Sequence, residues 1–277
     1  MIDAEKATEG IIAWLQEQFR TSGGKYAVIG ISGGKDSTVV AALCARALGK
    51  ENVIGIILPN QRMKGMKTAF EIASLYCGKW TVYSIGPAYH HFTSWAGYNE
   101  RTPKMERDIQ WMRTYDFSLK EMEGYNPDLH VSDAAVTNLP ARLRMCALYF
   151  VAQCVEHGRV INTSNLSERY VGYSTRYGDS VGDFSPLGNF TATEVLEIGK
   201  YLGVPQKYLD IPPSDGLSGL TDEENLGFTY SNLDGYIRHD GTEVPEEIRK
   251  KIDRLHELNE FKQKMMPIYE PTGEIFN

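Results

Sequence analysis

Tyr26-Ala-Val-Ile-Gly-Ile-Ser-Gly-Gly-Lys-Asp-Ser37 decides how this chain is read. An apolar, β-branched run from Ala27 to Ile31 stops at Ser32-Gly33-Gly34-Lys35-Asp36-Ser37. An alanine-rich helical pattern follows from Thr38 to Leu48, with Gly49 placed to end it. A strand, a glycine turn and a helix start in that order gather backbone N–H groups and the positive end of a helix dipole at one spot, which suits an anion. The glycines admit phosphate oxygens to the backbone, and Ser32 and Ser37 offer hydroxyl donors. The loop departs from the Walker pattern, where Lys is followed directly by Ser or Thr; here Asp36 follows Lys35. A carboxylate inside a phosphate cradle makes chemical sense with a cation such as Mg²⁺ between them.

Outward from the loop, Val53 to Leu58 reads as a second short strand closed by Pro59-Asn60, Thr81 to Ile85 as a third and Val160 to Thr163 as a fourth. Helical patterns cover residues 4–19, with Ile11, Ile12, Leu15 and Phe19 on one face, then Lys67 to Tyr76, Leu139 to Glu156 and Thr193 to Leu202. Strands alternating with helices predict an α/β fold, a doubly wound parallel sheet with helices on both faces. Thr221-Asp-Glu-Glu224 is a capping box that opens a helix carrying Leu226, Leu233 and Ile237, and a charged helix runs from Pro245 to Lys264. The pattern blurs between Pro87 and Thr137, where Trp95, Tyr98, Trp111, Tyr115, Phe117 and Tyr125 stand among charges. Residues 88–135 read as a lid, an interface insertion or a surface excursion within one domain spanning 1–277.

The net charge of −7 argues against a nucleic-acid partner, which demands a basic face. No apolar run reaches membrane-spanning length and the N-terminus lacks a signal-peptide plan, so a cytoplasmic location is expected. Cys44, Cys77, Cys146 and Cys154 form no CxxC pair and no metal spacing with His; they read as reduced, mostly buried thiols. His90-His91 reads as a loop feature rather than a metal site.

Doubly wound sheets hold ligands beyond the carboxyl ends of their strands. Three marked segments lie at such ends: Ser32–Ser37, Pro59–Asn60 and Thr163–Glu168. Asp36 and Glu168 are therefore candidates to face one another and share Mg²⁺ with phosphate oxygens, the alternative being that Glu168 caps a local helix. Arg142, Arg176 and Lys262, with the acids Asp179 and Asp183, are further candidates, since arginine suits phosphate or carboxylate. The loop from Tyr173 to Asp183 mixes charge, aromatics and glycine beside the expected crevice. No Ser–His–Asp or Cys–His arrangement stands out, so chemistry is expected to rest on positioning and electrostatics around a metal nucleotide.

Ser32–Ser37 resembles the pyrophosphate loop of ATP pyrophosphatases, which split ATP between its α and β phosphates. Further segments are similar to the NAD synthetase family: Asn138-Leu-Pro-Ala-Arg-Leu-Arg-Met145, Asn162-Thr-Ser-Asn-Leu-Ser-Glu168, Tyr177-Gly-Asp-Ser-Val-Gly-Asp-Phe-Ser-Pro-Leu187, Pro212-Pro-Ser-Asp-Gly-Leu217 and Thr221-Asp-Glu-Glu-Asn-Leu-Gly-Phe-Thr-Tyr230. The resemblance implies that MgATP adenylates the carboxylate of nicotinic acid adenine dinucleotide (deamido-NAD), and that ammonia then displaces AMP to give NAD. It implies ATP contacts at Gly30, Ile31, Ser32, Gly33, Gly34, Lys35, Asp36, Ser37, Thr163 and Ser214. It places Mg²⁺ on Asp36 and Glu168, and deamido-NAD against Arg142, Arg176, Asp183 and Lys262. A homodimer whose partner subunit completes the substrate site is implied too. Glutamine-dependent members carry an additional amidohydrolase domain for which this length leaves no room, so free ammonia, or ammonia supplied by a separate protein, is implied.

The chain departs from the family pattern in four places. Ala192 stands where many members place a lysine that meets ATP, which leaves Lys35 as a substitute cation. Arg176 replaces a common lysine, Phe261-Lys262 replaces a common His-Lys pair, and the segment between Ile85 and Asn138 is long and aromatic-rich. The alternative function is therefore a related ligase of the same loop class that adenylates a different acyl substrate. A tRNA-modifying pyrophosphatase is opposed by the acidic balance, and a non-catalytic nucleotide sensor by the retained pair Asp36 and Glu168.

Overall fold

A computed structural model describes residues 2–60, 63, 65–95, 132–212 and 221–269. Four parallel strands, β1 (Tyr26–Gly30), β2 (Val53–Ile57), β3 (Lys79–Val82) and β4 (Gly158–Ile161), lie in the order β3-β2-β1-β4. Val28 pairs with Ile54 on one side and with Val160 on the other. The chain thus winds outward from β1 to β3 and returns on the opposite side of β1 for β4. The order reverses between β1 and β4, and a crevice opens there at the carboxyl ends.

Side chains alternate across the sheet because the strand period is two. Ala27, Ile29 and Ile31 bury toward one face, where they meet α1 (Ala4–Thr21), α2 (Lys35–Leu48), α3 (Met66–Tyr76) and α7 (Ala192–Tyr201). Val28, Ile54, Ile56 and Val160 bury toward the other, against Met145, Ala147, Leu148 and Ala152 of α5 (Asp133–Cys154). The predicted doubly wound sheet is therefore present. The face of α1 read from its periodicity, Ile11, Ile12, Leu15 and Phe19, is the buried one. A third apolar cluster lies beyond the sheet. It packs Val171 of α6 (Leu166–Val171) and Ala192 against α9 (Asp222–Leu226), α10 (Tyr230–Arg238) and Ile252 of α11 (Glu246–Asn259).

Several expectations need correction. The third strand starts at Lys79, two residues before the predicted start, and all four of its residues are exposed, so no buried alternation marked it. Helix α5 begins at Asp133 rather than Leu139. The Ser132 side chain accepts Ala135 N–H at its start, and Pro140 sits inside the helix, two turns past that start. The helix expected after Thr221 is two helices, because Gly227 turns left-handed at φ +74° and Thr229 caps a new start. His90 and His91 lie on α4 (Gly86–Trp95), not in a loop. Cys44 and Cys77 are buried, but Cys146 and Cys154 are exposed, and all four thiols are free. The possible insertion at 88–135 falls mostly outside the described residues. Among the described residues no helix is long and apolar enough to cross a membrane.

Candidate active site

The loop after β1 is held in shape by its own hydroxyls. Ser37 Oγ donates to Gly34 O at 3.0 Å and lies 3.0 Å from Ser32 Oγ, which in turn accepts Gly34 N–H at 3.2 Å. The two serines named as hydroxyl donors thus also hold the turn. Gly33 turns at φ +88°, and a Cβ there would lie 3.3 Å from Gly65 O at the start of α3. A larger residue is strained there by the backbone conformation and crowded by this close approach. Gly30 and Ile31 bring the strand to the turn, and Ile31 N–H bonds Ile56 O at 2.9 Å.

Helix N-termini leave N–H groups without intrahelical partners. Asp3, Ser132, Asn165, Thr191, Thr221 and Thr229 meet this need with side chains at α1, α5, α6, α7, α9 and α10. Helix α2, with Gly34 as its N-cap, has no side-chain cap, as is also true of α3 after Gly65 and α11 after Pro245; of these, α2 is the one that carries Asp36. Its first amides, with the dipole behind them, are aimed at the crevice and suit phosphate oxygens.

Asp36 and Glu168 do meet across the crevice, and Asn165 is the bridge. Its side-chain Nδ2 donates to Asp36 Oδ1 at 3.2 Å, while its backbone N–H donates to Glu168 Oε2 at 3.1 Å. Glu168 N–H returns a 3.0 Å bond to Asn165 Oδ1 and completes a capping box on α6. Both readings of Glu168 are therefore true at once: it caps a helix and it faces Asp36. Burial pushes its carboxyl up, to about 8; Asp36 pushes the same way, while Lys35 and the Asn165 N–H oppose. Lys35 Nζ lies 2.7 Å from Asp36 Oδ2. Burial works against its charge, but Asp36, Glu168 and Asp222 outweigh burial and its pKa is raised.

Two residues join this group that the sequence reading missed. Asp222 is buried at the start of α9 and accepts the Tyr230 hydroxyl at 3.3 Å; the Tyr230 ring lies 5.7 Å from Lys35 Nζ. Burial, together with Glu168, Asp222 and Asp36, raises the Tyr230 pKa and keeps its hydroxyl protonated. The signal was present: Asp222 sits inside the capping box Thr221–Glu224, but the box was read only as a local helix start. Thr163 is half-buried just past β4, beside β1, on the same side of the sheet. Ser214 lies outside the described residues.

The other predicted residues divide into two places. Arg142 Nε donates to Arg176 O at 3.2 Å, and the Arg176 guanidinium lies 5.0 Å from the Tyr177 ring and 5.2 Å from that of Phe261. Lys262 Nζ donates to Gly172 O and Ser174 O at 2.8 and 3.0 Å, so these three cations gather around the loop 172–181. Two of the departures noted in the sequence, Arg176 and Phe261, thus meet as a cation–π pair. Asp183 stands apart. Its Oδ2 accepts Val160 N–H at 2.7 Å and its Oδ1 the Tyr149 hydroxyl at 3.3 Å, which fixes the chain beside β4. Asp179 shapes the same loop by accepting Thr175 N–H at 2.8 Å.

Hard carboxylate oxygens beside a dipole suited to phosphate fit Mg²⁺, which takes few protein ligands and prefers oxygen. Among the described residues no group of three His, Cys, Asp or Glu side chains stands at metal-holding distance. Two carboxylates completed by phosphates and water are consistent with that.

The family model for NAD synthase matches residues 7–266. An NH(3)-dependent NAD(+) synthetase from Alkaliphilus metalliredigens is 37% identical over 263 residues, covering 94% of this chain and 96% of the relative. Among solved structures, an NMN synthetase from Francisella tularensis aligns with a TM-score of 0.76 at 30% identity, covering 97% of this chain and 99% of that one. The NH3-dependent NAD synthetase from Campylobacter jejuni aligns with a TM-score of 0.71 at 25% identity, covering 98% and 100%. The family match over most of the chain, together with this identity and coverage, shows that the chain belongs to the NAD synthase family.

Proposed function

We infer that the chain is an ammonia-dependent NAD synthase, a carbon–nitrogen ligase that turns deamido-NAD into NAD at the expense of ATP. The observation that supports this is the start of α2, free of a side-chain cap and carrying Asp36, linked through Asn165 to Glu168, in a member of this family. A nicotinate carboxylate oxygen attacks the α-phosphorus of ATP, the bond to the bridging oxygen breaks, and pyrophosphate leaves. Ammonia then adds to the acyl carbon, AMP departs with the former carboxylate oxygen, and loss of a proton gives the amide.

Residues 30–37 and Thr163 would hold the triphosphate, with Ser214 as a further contact, and the open amides of α2 would stabilise charge developing on the leaving pyrophosphate. Asp36 and Glu168 would hold Mg²⁺, which when bound neutralises phosphate charge. Arg142, Arg176 and Lys262 would bind the dinucleotide, with Asp183 as a further contact beside β4. No side chain here is placed as a covalent nucleophile, so rate enhancement rests on orientation and charge.

We also propose one catalytic domain over residues 1–277, acting as a cytoplasmic homodimer with no nucleic-acid or membrane partner. Family membership and the net charge of −7 support this, as do the exposed Phe261, Met265, Met266, Ile268 and Tyr269, an apolar surface that a second subunit would cover.

The test is purified protein with ATP, Mg²⁺, an ammonium salt and deamido-NAD, followed by chromatography for NAD, AMP and pyrophosphate. Equal amounts of the three products are expected. A second acceptor belongs in the same assay, because the likeness to an NMN synthetase favours one other reading, amidation of the deamidated mononucleotide. A higher kcat/KM for the mononucleotide would overturn the dinucleotide assignment while leaving the adenylation chemistry in place.

A further inference from the structure

Lys35 is a cation at a position that its own helix disfavours. It is the first residue of α2, where a positive charge opposes the helix dipole. It is also 5% exposed, and burying an ammonium is costly unless neighbours repay the lost hydration. Here they do: Asp36 lies at 2.7 Å, Glu168 and Asp222 act on the same charge, and the Tyr230 ring lies at 5.7 Å. Position 35 thus carries a residue that its helix disfavours and that only the acidic crevice makes tolerable.

A second observation concerns the helix alongside. Helix α7 packs on α2, and its first residue, Ala192, is buried in the apolar cluster that contains Tyr230. Tyr230 of that cluster is the ring beside Lys35 Nζ. Lys35 also occupies the side of Asp36 that Asn165 leaves open: Asn165 holds Oδ1, and the ammonium holds Oδ2. A divalent cation binding Asp36 through Oδ2 must therefore displace it.

We propose that Lys35 is a movable cation of this site: before ligands arrive it balances Asp36, and when a divalent cation takes that carboxylate its ammonium turns to the phosphates of ATP. The inference rests on Asp36 and Glu168 holding the metal, as proposed above. It makes Lys35 a competitor of the metal in the empty enzyme and a partner of the metal in the loaded one. A lysine suits such a role because its charge sits at the end of a flexible four-carbon stem.

The experiment is Mn²⁺ binding to the full-length, metal-stripped protein, read from the free-ion EPR signal with and without ATP. Without ATP, Lys35→Met is expected to bind Mn²⁺ at least about ten-fold more tightly than the wild type, since no ammonium competes for Asp36. The same variant is expected to bind ATP about ten-fold more weakly without metal, and Lys35→Arg, which keeps the charge, stays near the wild type. Equal Mn²⁺ affinity of the wild type and Lys35→Met without ATP would overturn the proposal and leave Lys35 as a packing residue. Lys35→Gln repeats the comparison in case Lys35→Met does not fold, as checked by circular dichroism. Asp36→Asn separates the two layers. If it leaves Mn²⁺ binding with ATP unchanged, the metal assignment itself fails, whatever Lys35 does.

Discussion

Three groups act on or feel Asp36: Asn165 orients it, Lys35 balances it and Glu168 feels its charge. Asp36→Asn keeps the shape and removes the charge. It is expected to lower kcat/KM for ATP by about a thousand-fold, the scale of losing several kcal/mol of charge stabilisation. Stability should fall by only about 1–3 kcal/mol in a denaturant titration, because Glu168 and Asp222 still face Lys35. The cysteines give a second prediction at this scale. Burial pushes the Cys77 thiol up to about 12 and raises Cys44 as well, whereas Cys146 and Cys154 are exposed. An aromatic disulfide reagent should therefore titrate two thiols of the native protein quickly and the other two only after denaturation. Asp36 and Glu168 were legible in the sequence, because a carboxylate in a glycine loop and another just past a strand are unusual placements. Asp222 and Tyr230 were not, because what brings them to Lys35 is the packing of α9 and α10, which no local pattern encodes.

The helices were legible wherever a cap and a periodic face agreed, as in α1 and α7, while α5 was read from Leu139 only and its first turns, ahead of Pro140, were missed. Strand β3 shows the other failure: an exposed edge strand has no buried alternation to read. The most consequential element is the short α6, whose capping box uses the same glutamate that faces the phosphate loop. This permits an element-scale test. Asn165→Ser keeps an N-cap but loses the bond to Asp36 Oδ1, so stability should change by less than about 1 kcal/mol while activity falls about ten-fold. Asn165→Ala loses both and should cost about 1 kcal/mol more than Asn165→Ser on the same thermal or denaturant measurement. Equal stability of the two variants would mean that the cap contributes nothing to α6.

At the scale of the molecule, a buried acid is among the groups that join the C-terminal helices to α6 and α7. Asp234 of α10 accepts the Ser167 hydroxyl from α6 and the Thr193 N–H from α7, the latter at 2.8 Å, and Ser167 Oγ accepts Ala192 N–H at 2.9 Å. Asp234→Ala leaves a hydroxyl and an amide without their acceptor, so a loss of about 3 kcal/mol is expected in urea unfolding. Because α10 begins with Tyr230, activity should fall with it, and ATP should restore part of the stability by binding the folded form. The strand order has a further consequence, for the chain as it is made. Tyr26 must wait for Gly158 before β1 gains its second neighbour, and the loop that cradles phosphate meets Glu168 and Tyr230 later still. A ribosome releases β1, β2 and β3 with their helices long before the far wall of the crevice exists. A nascent or prematurely ended chain therefore presents a phosphate loop with one lone aspartate and an uncovered sheet edge, recognisable to quality control as unfinished and unable to consume ATP.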